Sequence, residues 1–136
     1  MLAVYLDASV VIPLVEGTPE EKPRLRMRVA QRAGDDAVQV ISDLVRMECQ
    51  VKPLALGDDR LLQDFAGFFA SPALVCVGLT PAVCDRAAHI RAQHRYRTPD
   101  ALHLAAAIEA HCDLFMTGDA RLASFPDILV CLLRPG

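Results

Sequence analysis

Two spacings of apolar positions alternate along the 136 residues. Residues 2–6, 38–41, 73–79, 113–116 and 128–133 are short, nearly unbroken apolar runs, the pattern of strands covered on both faces. Between them apolar positions recur every three or four residues, which predicts helices over 8–15, 18–33, 43–49, 58–69, 80–94 and 98–108, and a shorter one over 120–124. The helix starts carry their own signals. Asp7 or Ser9 can cap the first, Thr18 with Glu21 makes a capping box, and Ser42 precedes the third. Thr80-Pro81 and Thr98-Pro99 set a hydroxyl ahead of a proline, which has no N–H to leave unpaired. Pro13 predicts a bend, Gly17 an end, and residues 53–57 a break. Strands alternating with helices or helix pairs predict an α/β fold. The expectation is one domain over 1–136, with a mostly parallel central sheet of about five strands flanked by helices.

The helix faces refine this picture. Val83, Ala87 and Ile90 form one inner face, and Leu61, Leu62, Phe65, Phe68 and Phe69 form another. Leu25, Val29 and Ala33 share a face with Arg24, Arg28 and Arg32 beside it, an arginine row that suits either a solvated surface or a phosphate backbone. The segment 98–108 differs from the rest. From Ala101 to Ala110 only His103 and Glu109 are polar, so the helix is predicted to be buried on most sides, with Asp100 in its first turn. His103 reads as a packed residue or one that supports a neighbouring ligand.

Composition narrows the class. At 53% hydrophobic and 23% charged residues, the chain has material for one soluble core, and no apolar run approaches a membrane span. Met1 leads straight into the first strand without a basic stretch, which points to the cytoplasm. Five cysteines, at 49, 76, 84, 112 and 131, are odd in number and form no C-x-x-C pair. They read as buried thiols rather than disulfides or zinc ligands. A net charge of −3 is not a nucleic-acid footprint. Twelve of the fourteen bases are arginine, however, the side chain shaped for bidentate phosphate contacts. With four acids committed to a metal, the remaining thirteen would face fourteen bases, and the acidity would no longer speak against RNA.

Four acids stand out. Asp7 and Asp119 follow strands directly, while Glu48 and Asp100 lie in the opening turns of helices leaving the same sheet edge. Each has a plain alternative: Asp7 and Asp119 as helix caps, Asp100 as partner of a helix dipole, Glu48 as the mate of Arg46 or another arginine. In an open parallel sheet, ligands bind beyond the carboxyl ends of the strands, where strand order reverses, so the four can converge. Two carboxylates about 5 Å apart at an effective dielectric of about 20 repel by on the order of 3 kcal/mol. Such a cluster must take up protons, arginines or a cation. Oxygen ligands alone favour Mg²⁺ or Mn²⁺ over zinc or copper. With Arg46, Arg95 and Arg97 as candidate phosphate contacts, a metal site of this kind is equipped to hydrolyse a phosphodiester.

The segments Tyr5-Leu6-Asp7-Ala8-Ser9, Ser42-Asp43-Leu44-Val45-Arg46-Met47-Glu48, Thr98-Pro99-Asp100-Ala101-Leu102-His103-Leu104-Ala105 and Thr117-Gly118-Asp119 resemble, in order, the four acidic motifs of the PIN-domain nucleases. In its short single-domain form the chain is similar to the VapC-type toxins of toxin–antitoxin pairs. The resemblance implies that Asp7, Glu48 and Asp100 hold the metal, with Asp119 completing the set directly or through water. Ser9 and Thr117 correspond to supporting hydroxyls. It further implies a Mg²⁺-dependent endoribonuclease in which metal-bound water attacks RNA, a cognate antitoxin whose tail lies across the site, and a homodimer. Rival readings are a catalytically silent binding module and a DNA-directed or structure-specific nuclease using the same carboxylates. A haloacid-dehalogenase-like phosphatase would need an aspartate where Ser9 stands, and a receiver domain a lysine beyond Lys52. No glycine falls in a nucleotide-phosphate loop.

Overall fold

The structure, a computed structural model, describes residues 1–133, so the last three residues of the expected domain lie outside the described residues. Its elements, in chain order, are β1 (Ala3–Leu6), α1 (Ala8–Glu16), α2 (Glu21–Ala33), β2 (Val38–Ser42), α3 (Asp43–Leu56) and α4 (Asp59–Phe69). These are followed by β3 (Leu74–Val77), α5 (Pro81–Gln93), α6 (Thr98–Glu109), β4 (Leu114–Thr117), a 3₁₀ turn (Ala120–Leu122) and β5 (Leu129–Leu132). The five strands form one sheet in the order β3-β2-β1-β4-β5. Every pairing is parallel, with Tyr5 opposite Val40 on one side and Phe115 on the other.

This order explains the burial. The chain builds outward from β1 through β2 to β3, then returns to the other side of β1 to lay down β4 and β5. Contacts group α1 with α2, α3 and α4, and α5 with α6. Right-handed crossovers put helices from the two directions of travel on opposite faces. The central strand is therefore covered twice: Val4, Tyr5 and Leu6 are fully buried, and Phe115 stacks on Tyr5 with ring centroids 5.3 Å apart. As its composition predicts, α6 is buried on most sides, at Ala101, His103, Leu104, Ala105, Ala106 and Ala107. Val83, Ala87 and Ile90 make the buried face of α5.

Several expectations are corrected. The run at 73–79 is an edge strand, not one covered on both faces, and Val75 and Cys76 are exposed. Cys84 is exposed as well, so only Cys49 and Cys131 are fully buried; all five thiols are free. Pro53 does not break α3. It continues the buried positions Val45 and Cys49 by four residues, and the helix ends at Gly57, whose φ of 63° suits a residue without Cβ. Val51, two turns after the buried Leu44, is exposed. The segment 120–124 is a single 3₁₀ turn. Thr18 and Glu21 do form their reciprocal box (3.1 and 3.4 Å), and Thr80 caps α5 through the Val83 N–H (3.2 Å). Ser42 and Thr98 cap nothing, because their hydroxyls are engaged elsewhere.

Candidate functional site

The strand order reverses between β1 and β4, and the acids gather beyond the carboxyl ends of those two strands. Asp7 leaves β1 with its N–H on the Met116 carbonyl (3.3 Å), and its own carbonyl accepts the first N–H groups of α1, from Val10 and Val11. Its backbone thus starts the helix, but its carboxylate caps nothing. It accepts instead from the Ser9 hydroxyl at 2.5 Å. Ser9 Oγ accepts the Gly118 N–H (2.8 Å) and stands 3.4 Å from Thr117 Oγ1, which accepts the Asp119 N–H (3.0 Å). The turn after β4 is thereby tied to the turn after β1. The fit at Gly118 is tight: a Cβ would lie 3.3 Å from the Leu133 carbonyl and 3.4 Å from Ser9 Oγ, so one of them would have to shift by a few tenths of an ångström.

Asp119 caps the 3₁₀ turn through the Arg121 N–H (3.0 Å), so the capping alternative for this residue holds. The same carboxylate also takes the Arg121 guanidinium at 2.5 Å, and Arg121 Nη2 lies 3.5 Å from Asp100 Oδ2. Asp100 is held at the start of α6 by the Arg97 N–H (3.3 Å). Arg91 steadies that start, donating to the Tyr96 carbonyl (3.2 Å) and the Thr98 hydroxyl (2.9 Å). Glu48, from α3, is paired with His103 and not with an arginine. His103 Nε2 lies 2.5 Å from its Oε1, and Nδ1 lies 2.8 Å from the Tyr5 hydroxyl.

Burial pushes the Asp7 carboxyl above its ordinary value; the Ser9 and Thr117 hydroxyls and the nearby His103 pull it part of the way back. Asp119 moves the other way, because hydrogen bonds from Arg121 hold it below the usual carboxylate range. Burial raises the Tyr5 phenol, so it stays protonated. Asp7, Glu48, Asp100 and Asp119 are the residues that could hold a hard cation, with the Ser9 and Thr117 hydroxyls beside them. Among the described residues, no three His, Cys, Asp or Glu side chains stand close enough together to hold one as placed. Asp7, Asp119 and Asp100 are linked through the Ser9 and Thr117 hydroxyls and Arg121, whereas Glu48 is bonded to His103 and through it to Tyr5 and not to another of the four acids.

The arginines sort differently from expectation. Arg46 lies over the Phe69 ring (5.2 Å to its centroid), Arg95 is exposed, and Arg97 acts on Asp119 through charge alone. Arg24 and Arg28 line a cavity of about 370 Å³ that reaches Ser9 and Gly118, so part of the α2 row faces a groove. Sequence reasoning missed Arg121, although an arginine two residues after a turn aspartate was a readable signal. It also missed Tyr5 and Ser42, whose roles exist only through contacts 98 and 37 residues apart in sequence.

The family model described as PIN domain matches residues 4–128. Comparison with curated proteins found no match. Solved structures of the same fold include VapBC2 from Rickettsia felis bound to a promoter DNA fragment (13% identity, TM-score 0.76, 96% of this chain and 98% of that one). Another is DNA-bound VapBC from Salmonella typhimurium (20% identity, TM-score 0.74, the same coverages). A third is Mycobacterium tuberculosis VapC20, a Sarcin-Ricin loop cleaving toxin (16% identity, TM-score 0.69, 93% and 98%).

Proposed function

Since the chain belongs to the PIN domain family, we propose that it is a divalent-cation-dependent endoribonuclease of the VapC toxin type, using Mg²⁺ or Mn²⁺ and inhibited by a cognate antitoxin. The observation that carries this reading is the unbroken contact path Asp7, Ser9, Thr117, Asp119, Arg121, Asp100, laid across the sheet's switch point. The donor chemistry fits a hard cation. The candidate ligands are oxygens, and Asp7 is a buried carboxylate with no cationic side chain bonded to it among the described residues. Asp7, Glu48, Asp100 and Asp119 would hold the ion, which when bound lowers the pKa of water and offsets charge on the phosphate.

The chain's own residues then have separable tasks. Ser9 and Thr117 orient the Asp7 carboxylate. Arg97 holds Asp100 through its backbone, leaving its guanidinium at the rim for a phosphate, while Arg95 is exposed nearby in sequence. The groove bounded by Arg24, Arg28 and Leu25 offers an antitoxin segment both apolar and charged contacts. The neighbouring VapBC complexes support a partner of that kind. Pairing with a second copy would use the exposed α3 positions Met47, Val51 and Leu54.

The test is cleavage of end-labelled total RNA in Mg²⁺, Mn²⁺ and EDTA, with Asp7→Asn and Asp100→Asn alongside. Discrete fragments that require the cation and disappear in both variants are expected. An Asp100→Asn enzyme as active as the parent would overturn the reading. One observation favours a second reading, a silent binding module: Arg121 already brings a positive charge to Asp119 and, more distantly, to Asp100. Folded, antitoxin-free protein that binds no Mn²⁺ would support that module.

A further inference from the structure

Beneath the acids runs a buried line of four polar groups: Ser42, Tyr5, His103 and Glu48. The Ser42 Oγ to Tyr5 Oη and Tyr5 Oη to His103 Nδ1 distances are both 2.8 Å, and His103 Nε2 reaches Glu48 Oε1. Ser42 and Tyr5 are fully buried and His103 nearly so, whereas the Glu48 side chain is 30% exposed. Among the described residues no buried side-chain polar atom lacks a partner, so the line is complete. Tyr5 stands between the Ser42 hydroxyl and the imidazole, and its phenol can donate to one and accept from the other. Ser42 sits at the N-cap position of α3 yet makes no capping bond with its side chain, its hydroxyl being turned to Tyr5.

We propose that His103 is the positioning residue for Glu48, and that Ser42 and Tyr5 lock its ring so that one carboxylate oxygen is pinned and the other is presented to the site. The inference rests on the metal-site reading above. It makes a distinct claim: the second oxygen of Glu48 is aimed by a chain of bonds anchored in β1 and at the β2–α3 junction. A glutamate has three rotatable side-chain bonds, and a ligand left free to sample them binds a cation less well. Partners that orient metal ligands typically account for 10–100-fold in metal affinity.

The experiment is Mn²⁺ binding followed by electron paramagnetic resonance on the full chain without RNA, for the parent, His103→Ala, His103→Gln, Glu48→Gln and the His103→Ala/Glu48→Gln double variant. Circular dichroism checks that each is folded. His103→Ala should weaken Mn²⁺ binding by about tenfold or more. His103→Gln, whose amide can still donate to Glu48, should recover part of the loss. In the Glu48→Gln background, the further change to Ala at 103 should have no effect on binding, because the charged ligand that His103 positions is already gone. Equal loss in both backgrounds would show that His103 only packs, and would overturn the proposal while leaving the metal site standing. A folded parent protein that binds no Mn²⁺ would overturn both. Should His103→Ala fail to fold, Tyr5→Phe serves in its place: it keeps the ring stacked on Phe115 and deletes the hydroxyl that bonds both Nδ1 and Ser42. Unchanged Mn²⁺ affinity in that variant overturns the proposal.

Discussion

At the scale of single residues, the site is governed by how each carboxylate is neutralised. Asp7 has hydroxyl partners and is buried, so its carboxyl is raised above the ordinary value of 3.8. Between that unfolded value and the higher folded one, the native state holds the extra proton. The Asp7 contribution to stability therefore falls as pH rises through this window and stays unfavourable above it. In EDTA, Asp7→Asn should melt higher than the parent at neutral pH, and its stability should lack the fall that the parent shows as pH rises above the ordinary carboxylate range, while metal-dependent cleavage drops at least about a hundredfold. Urea melts across pH on both proteins, with a cleavage assay, check this. A variant less stable than the parent at neutral pH would contradict it. Arg121 is the opposite case. Half exposed and long, it supplies positive charge where a cation shared by Asp100 and Asp119 would stand. Arg121→Gln should tighten Mn²⁺ binding by on the order of tenfold, and by clearly more than Arg97→Gln does. Titration calorimetry on the two variants decides between local competition and a general change of charge.

At the scale of elements, two chain turns carry the geometry. The turn after β4 approaches α1 closely, and its glycine has little spare room. Gly118→Ala should cost about 1–3 kcal/mol and lower cleavage, because Ser9 or the Leu133 carbonyl must move. Thermal melting and cleavage rate should fall together, and an unaffected enzyme would mean the turn relaxes freely. The other turn ends α6. His111 is the one non-glycine residue with positive φ (57°) among the described residues. It closes the helix with bonds from the His111 N–H to the Ile108 carbonyl and from the Cys112 N–H to the Ala107 carbonyl, both 3.0 Å. His111→Gly should therefore stabilise the protein by up to about 1 kcal/mol without touching activity, as urea denaturation would read.

At the scale of the molecule, the sheet order brings together residues that the chain keeps far apart, and a cation there would bind the folded state only. Mg²⁺ or Mn²⁺ at a hundred times its dissociation constant should add about 2.7 kcal/mol of stability, removed again by EDTA and absent in Asp7→Asn. A melting temperature indifferent to both cations would argue for the silent module. No helix among the described residues is long and apolar enough to cross a membrane.

Much of this was legible without coordinates. Unbroken apolar runs and three-to-four-residue repeats depend only on which side chains water rejects, so the α/β alternation, the buried helix from Thr98, the Thr80 cap and the place of the four acids after strands or in helix openings could be read locally. What local reading could not supply was decided by strand order and by long-range hydrogen bonds. The run at 73–79 looks like a central strand, but among the described residues it pairs with β2 alone and sits at the edge. Ser42 and Thr98 look like caps, but a phenol from β1 and a guanidinium from α5 claim their hydroxyls. The partner of Glu48 is an imidazole 55 residues away, and the cation between Asp100 and Asp119 is Arg121. Sequence by itself determined which segments exclude water and which residues carry charge, since those are properties of single side chains and their neighbours. Only the tertiary structure decided which polar groups neutralise one another, because that choice depends on distances the fold creates.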